Sequence, residues 1–259
     1  AYFRADEQDD VTVSLSCPNP ARLSDPECAA NLPTDVTARV TDISTLLDLS
    51  EEQARSLNVF VGTPSEVPDG SGGTIAVLDS GDNTRLSLNT SGTPLYEGSL
   101  NGKVEGIVCT LALEDTPQAT STTVCTEVDE SSDHLLLDGS LVGKDVVESV
   151  LVALGLPSFP PEGMVLGRVV DRSLRPAAGV TVTPVGSQSS VVYLSEDLST
   201  VTTGQSSGSG YFVSTNASFG TSWNASHPDG RRQSEAPLGG LIQDRLSVVL
   251  IVLTDVVGG

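Results

Sequence analysis

The sequence predicts an all-β protein built as two tandem β-sandwich domains, with one or two short helices in the first. Three observations point there. Val, Thr and other β-branched residues are abundant and are broken at short intervals by Gly and Pro, the composition of strands joined by turns. Apolar and polar residues alternate over short runs through most of the chain, with helical spacing confined to a few places. At 259 residues the chain suits two ordinary cores better than one large one. The stretch Ser158-Phe159-Pro160-Pro161-Glu162-Gly163 reads as a stiff linker between them. The expected division is therefore residues 1–157, a Pro-rich linker at 158–163, and residues 164–259.

Taken in order, residues 1–10 hold Asp6, Glu7, Asp9 and Asp10 and read as an acidic, frayed extension. Val11, Val13 and Leu15 alternate with Thr12, Ser14 and Ser16, the pattern of a half-buried strand. Residues 37–43 form a further expected strand. Ser50-Glu51-Glu52-Gln53 has the spacing of a capping box opening a short helix through Leu57, with its acids at the positive end of the helix dipole. Strands are expected at 58–61, 74–78 and 85–88, separated by Gly- and Asp-rich turns at 68–73 and 80–83. Residues 103–113 and 121–128 read as the arms of a hairpin. Val142, Val146, Val147, Val150, Leu151 and Leu154 then fall at helical spacing, with Gly155 as C-cap and Pro157 just past it. The short echo between 97–103 and 138–144 reads as two similar turns, too brief for a repeat architecture.

Charge and cysteine usage narrow the function classes. Thirteen basic residues stand against 34 acidic ones, a formal charge of −21. That balance repels phosphate backbones and anionic membranes, so no nucleic-acid partner is expected. No run approaches the roughly 20 apolar residues of a membrane helix, and the longest, 248–253, reads as a buried strand, so no membrane insertion is expected. Ala1-Tyr2-Phe3-Arg4-Ala5-Asp6 lacks the charged-then-apolar pattern of a signal peptide and reads as a mature N-terminus. The four cysteines fall into two close pairs, Cys17 with Cys28 and Cys109 with Cys125. Three connectivities are open, and local pairing is favoured because each pair flanks a turn-like segment. The second pair would staple the 103–113/121–128 hairpin, worth roughly 3 kcal/mol in the chain-entropy view. Zinc is disfavoured by the spacing and by a supply of two histidines. Disulfides imply an oxidising, extracellular compartment.

The last third carries Gly167-Arg168-Val169-Val170-Asp171, then Pro176-Ala177-Ala178-Gly179-Val180-Thr181-Val182, then Thr200, Thr202 and Gly210-Tyr211. This order of Gly167, Val169, Asp171, Pro176, Gly179, Val180, Val182, Thr200, Thr202, Gly210 and Tyr211 resembles the carboxypeptidase regulatory-like (transthyretin-like) domains, over roughly residues 164–255. Val213 stands where that pattern usually has a second aromatic. The resemblance implies a transthyretin-like β-sandwich for the second domain, and a supporting, spacing or assembling role in preference to catalysis.

Candidate chemistry is thin. Gly204-Gln205-Ser206-Ser207-Gly208 has the letters of a nucleophile elbow, with His227 as the conceivable base, but a strand follows where the elbow needs a helix. His134 and His227 are 93 positions apart, so a zinc peptidase site lacks ligands. Acidic turns offer weak calcium candidates at Asp79, Asp82, Asp129 and Asp133; no other cofactor is expected. Asn89, Asn216 and Asn224 head N-x-S/T sequons, candidate glycosylation sites. Residues 145–259 contain no lysine, which excludes the Lys–Asn isopeptide cross-link of some pilin domains there. Trp223, Tyr193, Tyr211 and Phe219 are the aromatics from which a sugar-stacking surface would have to be made.

Together these readings predict a non-catalytic extracellular structural or assembly protein, such as a cell-surface filament subunit or adhesin stalk, whose expected partner is itself or another surface protein. Val11, Val13 and Leu15 would be the inserted face of an N-terminal strand exchanged between subunits, with Tyr2 and Phe3 anchoring its entry. The alternative is a glycan- or peptide-binding accessory module of a secreted hydrolase system.

Overall fold

The structure, a computed structural model, describes residues 33–254 apart from 71–72, 79–82, 103, 115–120, 129–132 and 234. Among the described residues strands dominate and two helices complete the fold, so the chain is all-β with sandwich-like layers. Strand β1 (Thr34–Asp42) alternates buried Val36, Ala38 and Val40 with outward Asp35 and Arg39. It lies between β7 (Leu95–Leu100), antiparallel, and β10 (His134–Leu141), parallel. With β6 (Ser87–Asn89) these make a four-stranded sheet in the order β10–β1–β7–β6. Its inner face meets Val59 and Val61 of β2 (Leu57–Gly62) and Val108 and Ala112 of β8 (Gly106–Glu114), forming one apolar core.

The local signals act as their chemistry dictates. Helix α1 (Glu51–Arg55) opens on the capping box, with Gln53 N–H donating to Ser50 Oγ at 3.3 Å and Ser50 N–H to Gln53 Oε1 at 3.0 Å. It stops short of the expected Leu57 because Leu57 already pairs with Glu114 as the first residue of β2. β3 (Ser65–Pro68) and β4 (Thr74–Val77) form a hairpin across the turn expected at 68–73. The expected 85–88 strand is instead split into β5 (Thr84–Arg85) and β6, with Leu86 between them donating to Val59 O as the chain crosses from one sheet to the other. β8 and β9 (Thr122–Val128) form the predicted hairpin, with Cys109 directly opposite Cys125 and the two joined as a disulfide. Helix α2 (Lys144–Leu154) buries Val146, Val147 and Val150, and ends on Gly155 at φ 69°, the left-handed cap. It begins three residues past Leu141, which closes β10.

One expectation is corrected outright. The echo segments 97–103 and 138–144 are not a pair of turns: Gly98 lies in β7 opposite Val36, and Gly139 lies in β10 opposite Val40. They flank β1 on its two sides, one antiparallel and one parallel, so packing on β1 overrode their turn-like composition.

In the later half, β11 (Met164–Val170) is buried at every residue because its two faces serve two cores. Met164, Leu166 and Val170 meet α2, while Val165 and Val169 meet Phe212 and Trp223. β19 (Leu246–Thr254) runs parallel to it on one side and β15 (Tyr211–Ser214) antiparallel on the other, followed by β13 (Val192–Leu194) and β14 (Val201–Thr202). β12 (Thr181–Val185), β16 (Thr221–Ser226), β17 (Arg232–Gln233) and β18 (Leu238–Gly239) complete the sheet. β9 pairs with both β18, through Leu238 and Cys125, and β19, through Leu246 and Thr122. Strands before and after 158–163 thus hydrogen-bond to one another in a single thirteen-stranded sheet.

The residues that carry the sequence resemblance have physical tasks here. At Gly167 a Cβ would lie 1.9 Å from the Phe212 ring, so only glycine lets that ring seat on β11. Asp171 Oδ1 accepts from the N–H groups of Ser173 and Arg175, at 2.8 and 3.0 Å, closing the turn that delivers Pro176 back to Val170.

Candidate functional site

The G-x-S-x-G segment is not a catalytic elbow. Ser206 is buried, and its Oγ donates to Ala177 O at 2.6 Å while accepting the Val180 N–H at 3.0 Å. Its backbone N–H donates to Val180 O and its carbonyl accepts from Gly179. The hydroxyl is thereby committed to latching the 177–180 turn onto the 204–208 loop. His227 belongs to a different, charged turn: its Nδ1 lies 2.6 Å from Asp229 Oδ1, and Arg231 Nε donates to Asp229 Oδ2 at 2.7 Å. Asp229 is held down to about 2, first by the Arg231 backbone N–H and then by the His227 and Arg231 side chains.

The aromatics are core, which removes the sugar-stacking surface. Trp223, Tyr193 and Tyr211 are buried and Phe219 is half-buried. Trp223 packs against Phe212 with ring centroids 5.4 Å apart. Among the described residues no aromatic side chain is exposed. The sequon asparagines sit on or beside strands: Asn89 donates to Glu97, exposed Asn216 accepts from the Ser190 N–H at 2.9 Å, and exposed Asn224 accepts from Gln233. Cys17, Cys28, Tyr2, Phe3, Val11, Val13, Leu15, Asp79, Asp82 and Asp129 lie outside the described residues. Asp133 precedes β10, where its carbonyl accepts from Asp35. Among the described residues no three His, Cys, Asp or Glu side chains converge as a metal site.

Sequence reading missed Arg168. It is 8% exposed, on the α2-facing side of β11, where the alternation calls for an apolar residue. Its Nη1 donates to the carbonyls of Ile43 at 2.5 Å and Ser44 at 2.7 Å, its Nε reaches Ser209 O at 3.4 Å, and its guanidinium lies 4.9 Å from the Tyr211 ring centroid. The Tyr211 hydroxyl adds a 3.4 Å bond to Ile43 O. Arg168 and Tyr211 together clamp the turn after β1 onto β11.

The sheet edges differ sharply in how they are protected. β5 and β14 are two residues each and β6 is three, too short to template another strand. β12 is longer, but its free edge is blocked. Trp223 N–H donates to Pro237 and Ala225 N–H to Gln233, so those residues of β16 face away from β12, leaving Val182 and Pro184 on the outer side of β12. Pro184 has no N–H, and Tyr193 Oη accepts from Val182 N–H at 2.8 Å and donates to its carbonyl at 3.4 Å. β3 carries Glu66 and Pro68, and Ala76 of β4 is bonded by Gln243.

Among the described residues, none of these devices protects β10. Asp35 N–H donates to Asp133 O and Ile43 N–H to Leu141 O, which fixes Leu135, Leu137 and Gly139 as the residues bonded to β1. The backbone groups of His134, Leu136 and Asp138 therefore point to the open side. The far end is capped, where Thr122 Oγ1 donates to Ser140 O. Leu136 is 78% exposed on this edge while Leu135 and Leu137 beside it are buried.

One cleft of about 570 Å³ opens beside α1, floored by Leu57, Leu86 and Tyr96 and rimmed by Arg55 and Arg85. The Tyr96 hydroxyl, pushed up to about 12 by burial, donates to Ala54 O at 2.7 Å.

No protein-family model matches the chain, and no curated protein matches it. Among solved structures it is similar to a streptococcal ancillary pilin at 13% identity and TM-score 0.23, covering 86% of this chain and 63% of that one. The Bacillus anthracis TIE protein aligns at 10% identity and TM-score 0.21, with 86% of this chain and 34% of that chain covered. A family 26 carbohydrate-binding module of Eubacterium rectale Amy13K, solved with maltoheptaose, aligns at 11% identity and TM-score 0.23, with 85% and 95% covered. The chain thus spans less than two thirds of the first two, and at these scores none of the three carries a function to it.

Proposed function

We propose that this chain is a non-catalytic extracellular structural or assembly protein, of the kind that builds a cell-surface filament or adhesin stalk. The observation that carries the reading is the pattern of sheet edges among the described residues: the edge of β12 is blocked, and that of β10 is left open with an exposed leucine on it. The Cys109–Cys125 staple suits an oxidising compartment. The N-terminal segment bearing Tyr2, Phe3, Val11, Val13 and Leu15 is a second candidate for strand exchange between subunits. Negative-stain microscopy of the full chain and of a variant lacking residues 1–16 tests the reading. Ordered oligomers or filaments are expected from the full chain, and their loss on truncation assigns the exchange to that segment. Monodisperse monomers from both proteins would overturn the proposal.

A peptide-binding accessory role is the second reading, favoured by the cleft beside α1. Its apolar floor fits an aliphatic side chain of a short peptide, and Arg85 on its rim, bonded to the neutral Asn58 amide while Arg55 is paired with Glu51, can meet a peptide carboxylate.

A further inference from the structure

The open edge of β10 is complementary to itself. Its outward residues are His134, Leu136 and Asp138, with Leu136 at the centre and groups of opposite hydrogen-bonding character on either side. Rotating a second copy by a two-fold axis through Leu136, perpendicular to the sheet, sets the strands antiparallel. Leu136 then faces its own equivalent, His134 faces the second copy's Asp138, and Asp138 faces the second copy's His134. All three residues direct their backbone N–H and C=O to that side, so each facing pair falls in the hydrogen-bonded class and exchanges two backbone bonds. On the solvent face His134 Nε2 lies 3.0 Å from Thr37 Oγ1; accepting that hydroxyl leaves Nδ1–H to donate to the facing carboxylate at both ends, and the two leucines cover each other between them. Buried Leu135 and Leu137 lie on the same inner face in both copies, so the two cores stay on one side of the joined sheet.

We infer that β10 is an isologous docking edge whose partner is a second copy of this chain, joined antiparallel about Leu136 into one continuous eight-stranded sheet. The inference rests on the assembly reading above and names its contact. The choice of a second copy follows from the charge pattern. A parallel neighbour joined through the same edge must be turned over about the strand axis, which sets the two cores on opposite faces of the sheet, and a one-residue slip of the antiparallel pair sets Leu136 against residues whose backbone groups are already bonded to β1.

The test is sedimentation velocity of the whole protein over a wide concentration range, comparing wild type with Leu136→Lys, His134→Asp and the double swap His134→Asp/Asp138→His. All the altered side chains are exposed, so the fold is retained, and a circular dichroism melt checks it. Wild type is expected to show a monomer–dimer equilibrium. Leu136→Lys sets two lysines face to face and weakens it by about tenfold or more. His134→Asp weakens it likewise, and the double swap, which restores an acid opposite a histidine at each end, recovers it. Association that is indifferent to Leu136→Lys, or a double swap no better than His134→Asp, overturns the inference while leaving assembly itself standing. A dimer that responds as expected but never yields larger assemblies supports the β10 contact and removes the filament. If dimers appear only after residues 1–16 are deleted, the chain's own N-terminal segment occupies the edge and the inference falls.

Discussion

Replacing Arg168 by methionine tests whether the later half of the chain is locked onto the turn that follows β1. Methionine keeps most of the stem's packing but leaves the Ser44 carbonyl without its donor, Ile43 O with the long 3.4 Å bond from the Tyr211 hydroxyl, and the Tyr211 face without its cation. Hydrogen bonds from a charged donor contribute about 1.5–3 kcal/mol each. Part of that loss is offset because the buried guanidinium no longer has to be kept out of water. A net loss of about 3 kcal/mol follows, and at this chain length it lowers Tm by roughly 6–12 °C. Lysine recovers about half of it, since a point charge satisfies one carbonyl and cannot stack. Calorimetry reads the size of the effect, and amide hydrogen exchange reads its place, with faster exchange expected at residues 43–47 and no change in the β3–β4 hairpin. A methionine variant that melts with wild type and exchanges like it would refute the clamp.

Three other outcomes are expected. Cys109→Ser/Cys125→Ser lowers stability by roughly 3 kcal/mol without changing the β8–β9 register, read by denaturant unfolding, because the staple acts mainly on the unfolded chain. Ser206→Ala costs about 1–3 kcal/mol by orphaning the Val180 N–H and leaves any esterase trace unchanged; a hydrolytic activity abolished by this change would restore the catalytic reading. Asp229, lowered from 3.8 to about 2, contributes stability that is fully present above pH 3.8 and is lost as pH falls through about 2. Its carboxyl titration by NMR should rise only partway towards 3.8 in Arg231→Ala, because the first cause, the backbone N–H at 231, remains.

What the sequence revealed and what it hid divide along local and non-local physics. The capping box at Ser50 and Gln53, the α2 face and the Cys109–Cys125 hairpin are written within a few residues of themselves, and all three stand as read. β10 was invisible because Leu135-Leu136-Leu137 breaks the alternation that marks a strand, and because its partner β1 lies about a hundred positions earlier. The break is itself the signal, since the middle leucine is exposed where the pattern asks for a polar residue. β7 was hidden by its Glu-Gly-Ser composition, and Arg168 by its resemblance to an ordinary strand polar residue, when its ligands are carbonyls at 43 and 44. The candidate stacking aromatics failed for a related reason: a chain with few aromatics spends them on its cores.

The most direct test of the central claim is the mass of the wild-type 259-residue chain in solution, by light scattering coupled to size exclusion, as concentration is raised from micromolar upward. An assembly protein predicts a mass that climbs reversibly beyond the 26.8 kDa of one chain. A mass fixed at that value at every concentration would contradict it.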